Sequence, residues 1–343
     1  MKKNLFIFLF LAPLLAIVLS GAKFYYHLGV WSYEGASTEF VVKPGETFSK
    51  INYRLKKKGL ISNPKIFYRY CQFKGLLTKF KSGNFLIKKG SSSLDIIETL
   101  LKGANIAPKL TIPEGKNIYE IGKMLEKRKI CSYKEFIRAT KDKDLVFSFG
   151  IPGKTLEGYL YPDTYRFNEQ TPPKQVISVM VKQFFRRWKS LGLNVSIEKR
   201  HDLIILASII EKETGASFER PTISGVFHNR LKKRMRLQSD PTTIYGIYES
   251  FTGNLRKKHL LQKTPYNTYK VFGLPLGPIS NPGLESIKAA INPKKHNYLY
   301  FVSKNDGTHK FSKNYKEHLK AVTAFQKRRA ARKGKSWRDL HKK

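Results

Sequence analysis

Cysteine is scarce in this chain of 343 residues: Cys71 and Cys131 are the two that occur. A framework of several disulfides is therefore excluded. In an exported chain the pair could form one bridge, but they read more simply as two small buried hydrophobes. No Cys/His cluster has zinc-ligand spacing and the eight histidines are scattered, so no metal site and no cofactor are expected. Acidic residues are also few, 25 Asp and Glu against 65 Lys and Arg, which leaves a formal net charge of +40. That balance suits polyanionic surroundings: nucleic acid, acidic lipid head groups or acidic cell-envelope polymers. The basic residues are spread over the whole chain, as in a generally basic proteome, so charge alone does not choose among them. The length, with 41% hydrophobic residues, supports about two or three domains with a sizeable core.

What is present begins at the N-terminus. Met1-Lys2-Lys3 precedes an apolar run from Leu5 to Leu19, extended by Ser20, Gly21 and Ala22 before Lys23. Leu5 to Ala22 makes eighteen residues, close to the ~20 needed to cross a bilayer. Ser20 and Ala22 would also suit a cleaved signal peptide. The aromatic cluster Phe24-Tyr25-Tyr26 and then Trp31 suits a membrane interface and favours an uncleaved anchor over residues 1–25. Lys2 and Lys3 put the tip in the cytoplasm and the bulk of the chain outside it, which argues against nucleic acid as a partner.

Residues 39–140 carry an internal repeat. Phe40-Val41-Val42-Lys43-Pro44-Gly45-Glu46-Thr47-Phe48, then Ile51, Leu55 and Leu60, is echoed by Leu110-Thr111-Ile112-Pro113-Glu114-Gly115, then Ile121, Leu125 and Ile130, seventy residues on. Each copy reads as a short strand, a turn and an amphipathic helix. Residues 39–103 form the first small domain and 108–148 a second repeat unit that connects onward. In the first, Phe80 to Ile87 reads as a turn and strand, and Ser91 to Asp95 caps a helix. Beyond Gly150 the sequence changes character, and residues 150–325 alternate turns and helix signals as in an α+β domain. Tyr298–Val302 is a strong strand with Gly307–Phe311 as its hairpin partner. Residues 326–343 form a basic tail, read as solvated, with electrostatic tethering to anionic lipid or wall polymer as its functional alternative.

The stretch with most chemical content is Leu203 to Thr214, an apolar helical run that ends in Glu211-Lys212-Glu213. A carboxyl group at the end of a buried helix is costly unless paired, hydrated or used. Burial raises its pKa, and a neutral carboxylic acid near pH 7 can protonate a glycosidic oxygen. Residues two apart on a helix point about 200° apart, so the two glutamates do not share one cleft. Helical phase does not choose between them.

Six segments, the end of that helix among them, are notable together: Leu156-Glu157-Gly158-Tyr159-Leu160-Tyr161-Pro162-Asp163-Thr164-Tyr165, Ala207-Ser208-Ile209-Ile210-Glu211-Lys212-Glu213-Thr214, Val226-Phe227-His228-Asn229-Arg230-Leu231, Leu237-Gln238-Ser239-Asp240-Pro241-Thr242, Pro265-Tyr266-Asn267-Thr268-Tyr269, and Gly273-Leu274-Pro275-Leu276-Gly277-Pro278-Ile279-Ser280-Asn281-Pro282-Gly283. Taken in this order they resemble the MltG/YceG family of endolytic murein transglycosylases. The family usually has two prolines where this chain has Pro275-Leu276, and the basic tail is not part of its pattern. Val42 to Phe48 followed by Ile51 is also similar to a LysM module, which binds N-acetylglucosamine polymers, except that Asn52 stands where those units usually have a small hydrophobe.

The resemblance implies a single-pass protein of the bacterial inner membrane, with a LysM-like domain before a mixed α+β catalytic domain. Its substrate would be the β-1,4 bond between N-acetylmuramic acid and N-acetylglucosamine within peptidoglycan strands, with peptidoglycan synthases as partners. The family's catalytic glutamate carries over to Glu213, because Glu213-Thr214 matches an acid followed by a hydroxyl residue; Glu211, followed by Lys212, is the alternative. Glu213 would act as acid and then as base for the muramyl 6-hydroxyl, leaving a 1,6-anhydro end. Gln238, Ser239, Asp240, Asn267 and Tyr269 are the expected substrate contacts, from residue type and motif position. The alternatives are a murein hydrolase using Glu213 with Asp240, and a non-catalytic murein-binding scaffold.

Overall fold

The computed structural model describes residues 2–103 and 106–327 and is mixed α+β. The chain divides into two compact units, residues 1–109 and 110–343. The basic tail expected over 326–343 lies, beyond Lys327, outside the described residues.

The first unit opens with a helix, Lys2–Tyr25, that continues as a π-helical turn, Tyr26–Val30. Residues 11–30 are long and apolar enough to cross a membrane, and Leu11, Leu14, Leu15, Ile17, Val18 and Leu19 are all exposed. Downstream, strand β1 (Thr38–Val42) pairs antiparallel with β2 (Gly83–Ile87), Phe40 opposite Phe85. Helices Phe48–Lys57 and Pro64–Phe73 lie between these strands in sequence, and Ser93–Lys102 follows them. Asn63 caps the second of these helices by accepting from the Lys65 and Ile66 amides, with Pro64 in its first turn. Alternation along β1 turns Phe40 and Val42 inward, where Ile51, Leu55, Phe67, Phe85, Ile96 and Leu100 complete a separate core.

In the second unit, β3 (Lys109–Thr111) pairs with β4 (Thr164–Arg166), and β5 (Tyr300–Ser303) pairs antiparallel with β6 (His309–Ser312). The second repeat keeps the grammar of the first: its helix Ile118–Lys127 starts seventy residues after Phe48 and is closed by an Asn117–Glu120 capping box. Leu110, Ile118, Ile121, Leu125 and Phe136 share one core with Tyr159, Phe184, Ile204 and Ile209. The apolar face of one helix and a three-residue strand cannot close a core alone, so this copy is buried against residues 150–325. At the centre runs helix Ile197–Glu213, capped by Ser196 and buried on every side from Ile204 to Ile210. Helices Arg220–Lys232, Asp240–Gly246 and Leu284–Ile291 pack against it.

Buried polar groups tie these elements together. The Glu157 side chain has no exposed surface. Its Oε2 accepts from the Ile118 amide at 3.0 Å and from the Tyr245 hydroxyl at 2.9 Å, and its Oε1 accepts from Asn281 Nδ2 at 2.9 Å. Burial pushes its pKa up to about 8, against hydrogen bonds that favour the anion. Gly158 follows at φ +87°, where a Cβ would stand 2.6 Å from Pro278 and 2.8 Å from Ile204, so a side chain does not fit. Ser208 on the central helix accepts from the Ile279 amide at 3.0 Å, and its carbonyl accepts from the Ser280 hydroxyl at 3.1 Å. The Tyr159, Tyr161 and Tyr165 rings are buried in the core.

Glu157→Ala leaves three buried donors without their acceptor. At about 1–3 kcal/mol for each unpaired group, the melting temperature of the second unit should fall by at least about 4 °C in calorimetry. An unchanged transition would show that the knot is not structural.

Candidate active site

The central helix stops at Glu213 because Thr214 is extended, with φ −141° and ψ 138°. Its last two carboxylates point apart, as the helical turn requires. Glu211 accepts from the Gly283 amide at 3.0 Å and pairs with Arg220 at 3.3 Å, and its side chain is only 6% exposed. Lys212 donates to the Gly115 carbonyl at 3.3 Å. Glu211 is thus paired and enclosed, and it holds the Pro282-Gly283 turn.

Glu213 faces a different place, a cleft of about 350 Å³ also lined by Arg230, Leu237, Gln238, Asp240, Tyr269, Tyr300, Phe301, Tyr315 and His318. The Ser239 hydroxyl donates to Glu213 Oε1 at 2.5 Å. Burial pushes the Glu213 carboxyl up to about 7; Asp240 raises it further, while Ser239 and Arg230 oppose the rise. Ser239 is itself fixed. Its amide donates to Thr268 Oγ1 at 2.9 Å, and it stands at the N-cap of the Asp240–Gly246 helix. Gln238, immediately before it, has φ +51°, an uncommon conformation for a residue with a side chain, held by its amide donating to the Thr268 carbonyl.

Arg230 enters from helix Arg220–Lys232. Its guanidinium donates to the carbonyls of Leu299 at 2.6 Å and Leu237 at 2.8 Å, and lies 5.1 Å from the centre of the Tyr300 ring. Those bonds tie the β5–β6 hairpin to the segment that carries Gln238. Across the cleft, the Tyr269 hydroxyl donates to Asp240 Oδ1 at 2.7 Å. Burial and Arg230 hold His318 below the usual imidazole value, so it stays neutral near pH 7. The Tyr300 and His318 rings stack, with centroids 5.1 Å apart.

The expected site residues are therefore placed unequally. Glu213, Gln238, Asp240 and Tyr269 converge on the cleft. Ser239 is buried and donates its hydroxyl to Glu213. Asn267 is fully buried: Nδ2 donates to the carbonyls of Leu260 and Gln262, and Oδ1 accepts from Thr243 Oγ1 and the Tyr269 amide. Its amide is consumed in shaping the loop. Arg230, Tyr300, Tyr315 and His318 were not anticipated. Arg230 alone left a signal, a cation three residues after Phe227 on the buried face of its helix.

A larger depression, about 410 Å³, is lined by Glu126, Cys131, Glu135 and Gln170 among others. Burial and those two carboxylates push the Cys131 thiol up to about 11, the wrong direction for a nucleophile. Cys71 and Cys131 both carry free thiols. Among the described residues no three His, Cys, Asp or Glu side chains converge as metal donors.

Comparison with known proteins places the chain. The model of the YceG-like family matches residues 40–324. The endolytic murein transglycosylase of Bacillus subtilis (strain 168) is 35% identical over 304 residues, covering 83% of both chains. That of Streptococcus pneumoniae serotype 2 is 28% identical over 324 residues, covering 82% of this chain and 57% of the relative. The crystal structure of a yceG-like protein from Listeria monocytogenes superposes with a TM-score of 0.57 at 32% identity, covering 83% of this chain and 98% of that one.

The two neighbours of Glu213 act on it in opposite senses. Ser239→Ala removes a donor to the anion and should raise the Glu213 midpoint above about 7; Asp240→Asn removes a like charge and should lower it. Carboxyl-carbon NMR titration reads both shifts, and shifts in the reverse senses would refute this electrostatic description.

Proposed function

The chain belongs to the YceG-like family, and from that premise we propose that it is a membrane-anchored endolytic murein transglycosylase whose single proton shuttle is Glu213. The observation that carries the reading is the half-buried Glu213 carboxyl, raised to about 7 and held by Ser239 in a cleft with a charged and aromatic lining. Such a group is substantially protonated at neutral pH and is already oriented.

The chemistry follows from that position. Protonated Glu213 gives its proton to the glycosidic oxygen as the bond to the muramyl anomeric carbon breaks, and the N-acetylglucosamine side leaves as an alcohol. Positive charge develops on the muramyl ring, beside the carboxylate of Asp240, whose orientation the Tyr269 hydroxyl fixes. Glu213, now an anion, takes the proton of the muramyl 6-hydroxyl. That oxygen bonds to the anomeric carbon and closes a 1,6-anhydro ring, and the enzyme returns to its protonated start. The nucleophile belongs to the substrate, so the second catalytic carboxylate of ordinary glycosidases is not needed. The exposed apolar helix supports anchoring at the membrane, and the strand-helix-helix-strand order of the first unit supports the LysM-like reading. Peptidoglycan synthases are the protein partners that this location implies.

Glu213→Gln should lower the yield of anhydromuramyl ends from purified murein by at least about 10²-fold. In the wild-type protein kcat/KM should fall as pH rises through about 7, because the acid step needs the protonated carboxyl. Folded Glu211→Gln protein should keep that alkaline limb. Retained cleavage by Glu213→Gln would remove the assignment; bound but uncut murein with the wild-type protein would favour a scaffold.

A further inference from the structure

Among the residues lining the Glu213 cleft, Arg230 is the one Lys or Arg, and it is only 7% exposed. Most of its guanidinium is engaged. Nε donates to the Leu299 carbonyl at 2.6 Å. Nη1 donates to the carbonyls of Arg236 at 3.2 Å and Leu237 at 2.8 Å, and lies 3.3 Å from Gln238 Oε1. Nη2 is different: among the described residues no acceptor meets it, and it is not enclosed. Its N–H bonds therefore give onto the cleft that Arg230 lines. Backbone carbonyls hold the guanidinium in place but do not neutralise it. Asp240, on the same cleft, accepts from Tyr269, and among the described residues it forms no ion pair with Arg230. A shielded cation without a counter-ion is costly, and an acceptor brought to it by substrate makes a strong, charge-assisted bond.

The surroundings limit what carries that acceptor. The guanidinium lies 5.1 Å from the Tyr300 ring centre, the His318 ring stacks on Tyr300, and Tyr315 beside them is 58% exposed. The free N–H bonds thus stand at an aromatic wall, which suits an oxygen attached to a small apolar group. Both murein sugars bear an N-acetyl group, so reading that group would not tell them apart. Both also carry a 6-hydroxyl, so ring closure alone does not select the muramyl residue. They differ at O3, where the muramyl residue alone has a lactyl ether with a methyl group and a carbonyl. That carbonyl persists whether the stem is attached as an amide or removed to leave a carboxylate.

We propose that Arg230 determines which of the two alternating β-1,4 bonds is cut: Nη2 donates to the lactyl carbonyl oxygen of the muramyl residue whose anomeric carbon reacts, and the lactyl methyl lies on the Tyr300–His318 wall. The proposal rests on murein being cut in this cleft. It supplies the contact that seats a muramyl residue, and not N-acetylglucosamine, beside Glu213.

The test compares two substrates with the full-length protein in detergent micelles. Murein strands freed of peptide by an amidase carry lactyl carboxylates; carbodiimide activation and borohydride reduction turn these into primary alcohols and leave the rest of each sugar unchanged. Wild-type kcat/KM should be lower on the reduced strands by at least about tenfold, the loss of a hydrogen bond between charged partners. Arg230→Lys keeps the charge but has one nitrogen, which cannot hold the Leu237 and Leu299 carbonyls and reach the substrate together. Its ratio between the two substrates should fall towards one, whereas a merely structural role would lower both rates and leave the wild-type ratio. Equal cleavage of both substrates by the wild-type protein overturns the proposal even if Arg230→Lys does not fold, and so does an unchanged ratio in folded Arg230→Lys. If calorimetry shows the wild-type protein binding unreduced strands more tightly than reduced ones, Arg230→Lys loses that difference, and neither substrate is cut, the catalytic reading alone fails.

Discussion

A glutamate carboxyl group with no exposed surface ties the second unit together. Glu157 gathers the first amide of the Ile118–Lys127 helix, the Tyr245 hydroxyl of the Asp240–Gly246 helix, and Asn281 of the Gly277–Gly283 loop. Asn281 extends the knot, since its Nδ2 also reaches the Lys116 carbonyl and its Oδ1 accepts from the Leu160 amide at 2.8 Å. The same loop is fastened to Ser208 on the central helix. The helix that ends in Glu213 and the helix that begins at Asp240 are thereby set relative to one another. A buried carboxyl group without these partners would be costly; with them it fixes geometry that apolar contacts alone leave loose.

The end of the central helix shows how environment divides two like residues. Glu211 and Glu213 are separated by one residue and belong to the same helical turn. Glu211 pairs with Arg220 and accepts from the Gly283 amide, and both its oxygens are spent on structure. Glu213 is shielded, near the negative Asp240, with one hydroxyl donor, so its proton stays until about pH 7. One group secures a loop and the other can cycle a proton, and the difference lies wholly in what each face of the helix meets.

Local signals were legible in the sequence. Both repeats show their strand, turn and helix, because apolar spacing acts within a few positions; capping pairs act as locally, Asn117 with Glu120 in the second repeat and Ser92 with Asp95 on the later helix of the first unit. The hairpin near the C-terminal end and the apolar N-terminal helix were legible for the same reason. Long-range partners were not. Asn267 looks like a ligand contact by type, yet its bonds go to Thr243 and the backbone at 260–262, which no periodicity reveals. Arg230 and His318 reach the cleft from helices far apart in sequence, and the second repeat joins the larger core because of what it packs against.

The central claim is that the substrate's own hydroxyl, not water, completes the reaction begun by Glu213. Digestion of purified murein in ¹⁸O-enriched water, followed by mass spectrometry of the new muramyl ends, addresses it directly. Glu213 acting as a lone shuttle predicts anhydro ends with no solvent oxygen incorporated. Reducing ends carrying ¹⁸O would contradict it and assign water as the nucleophile, with Asp240 as the group to activate it.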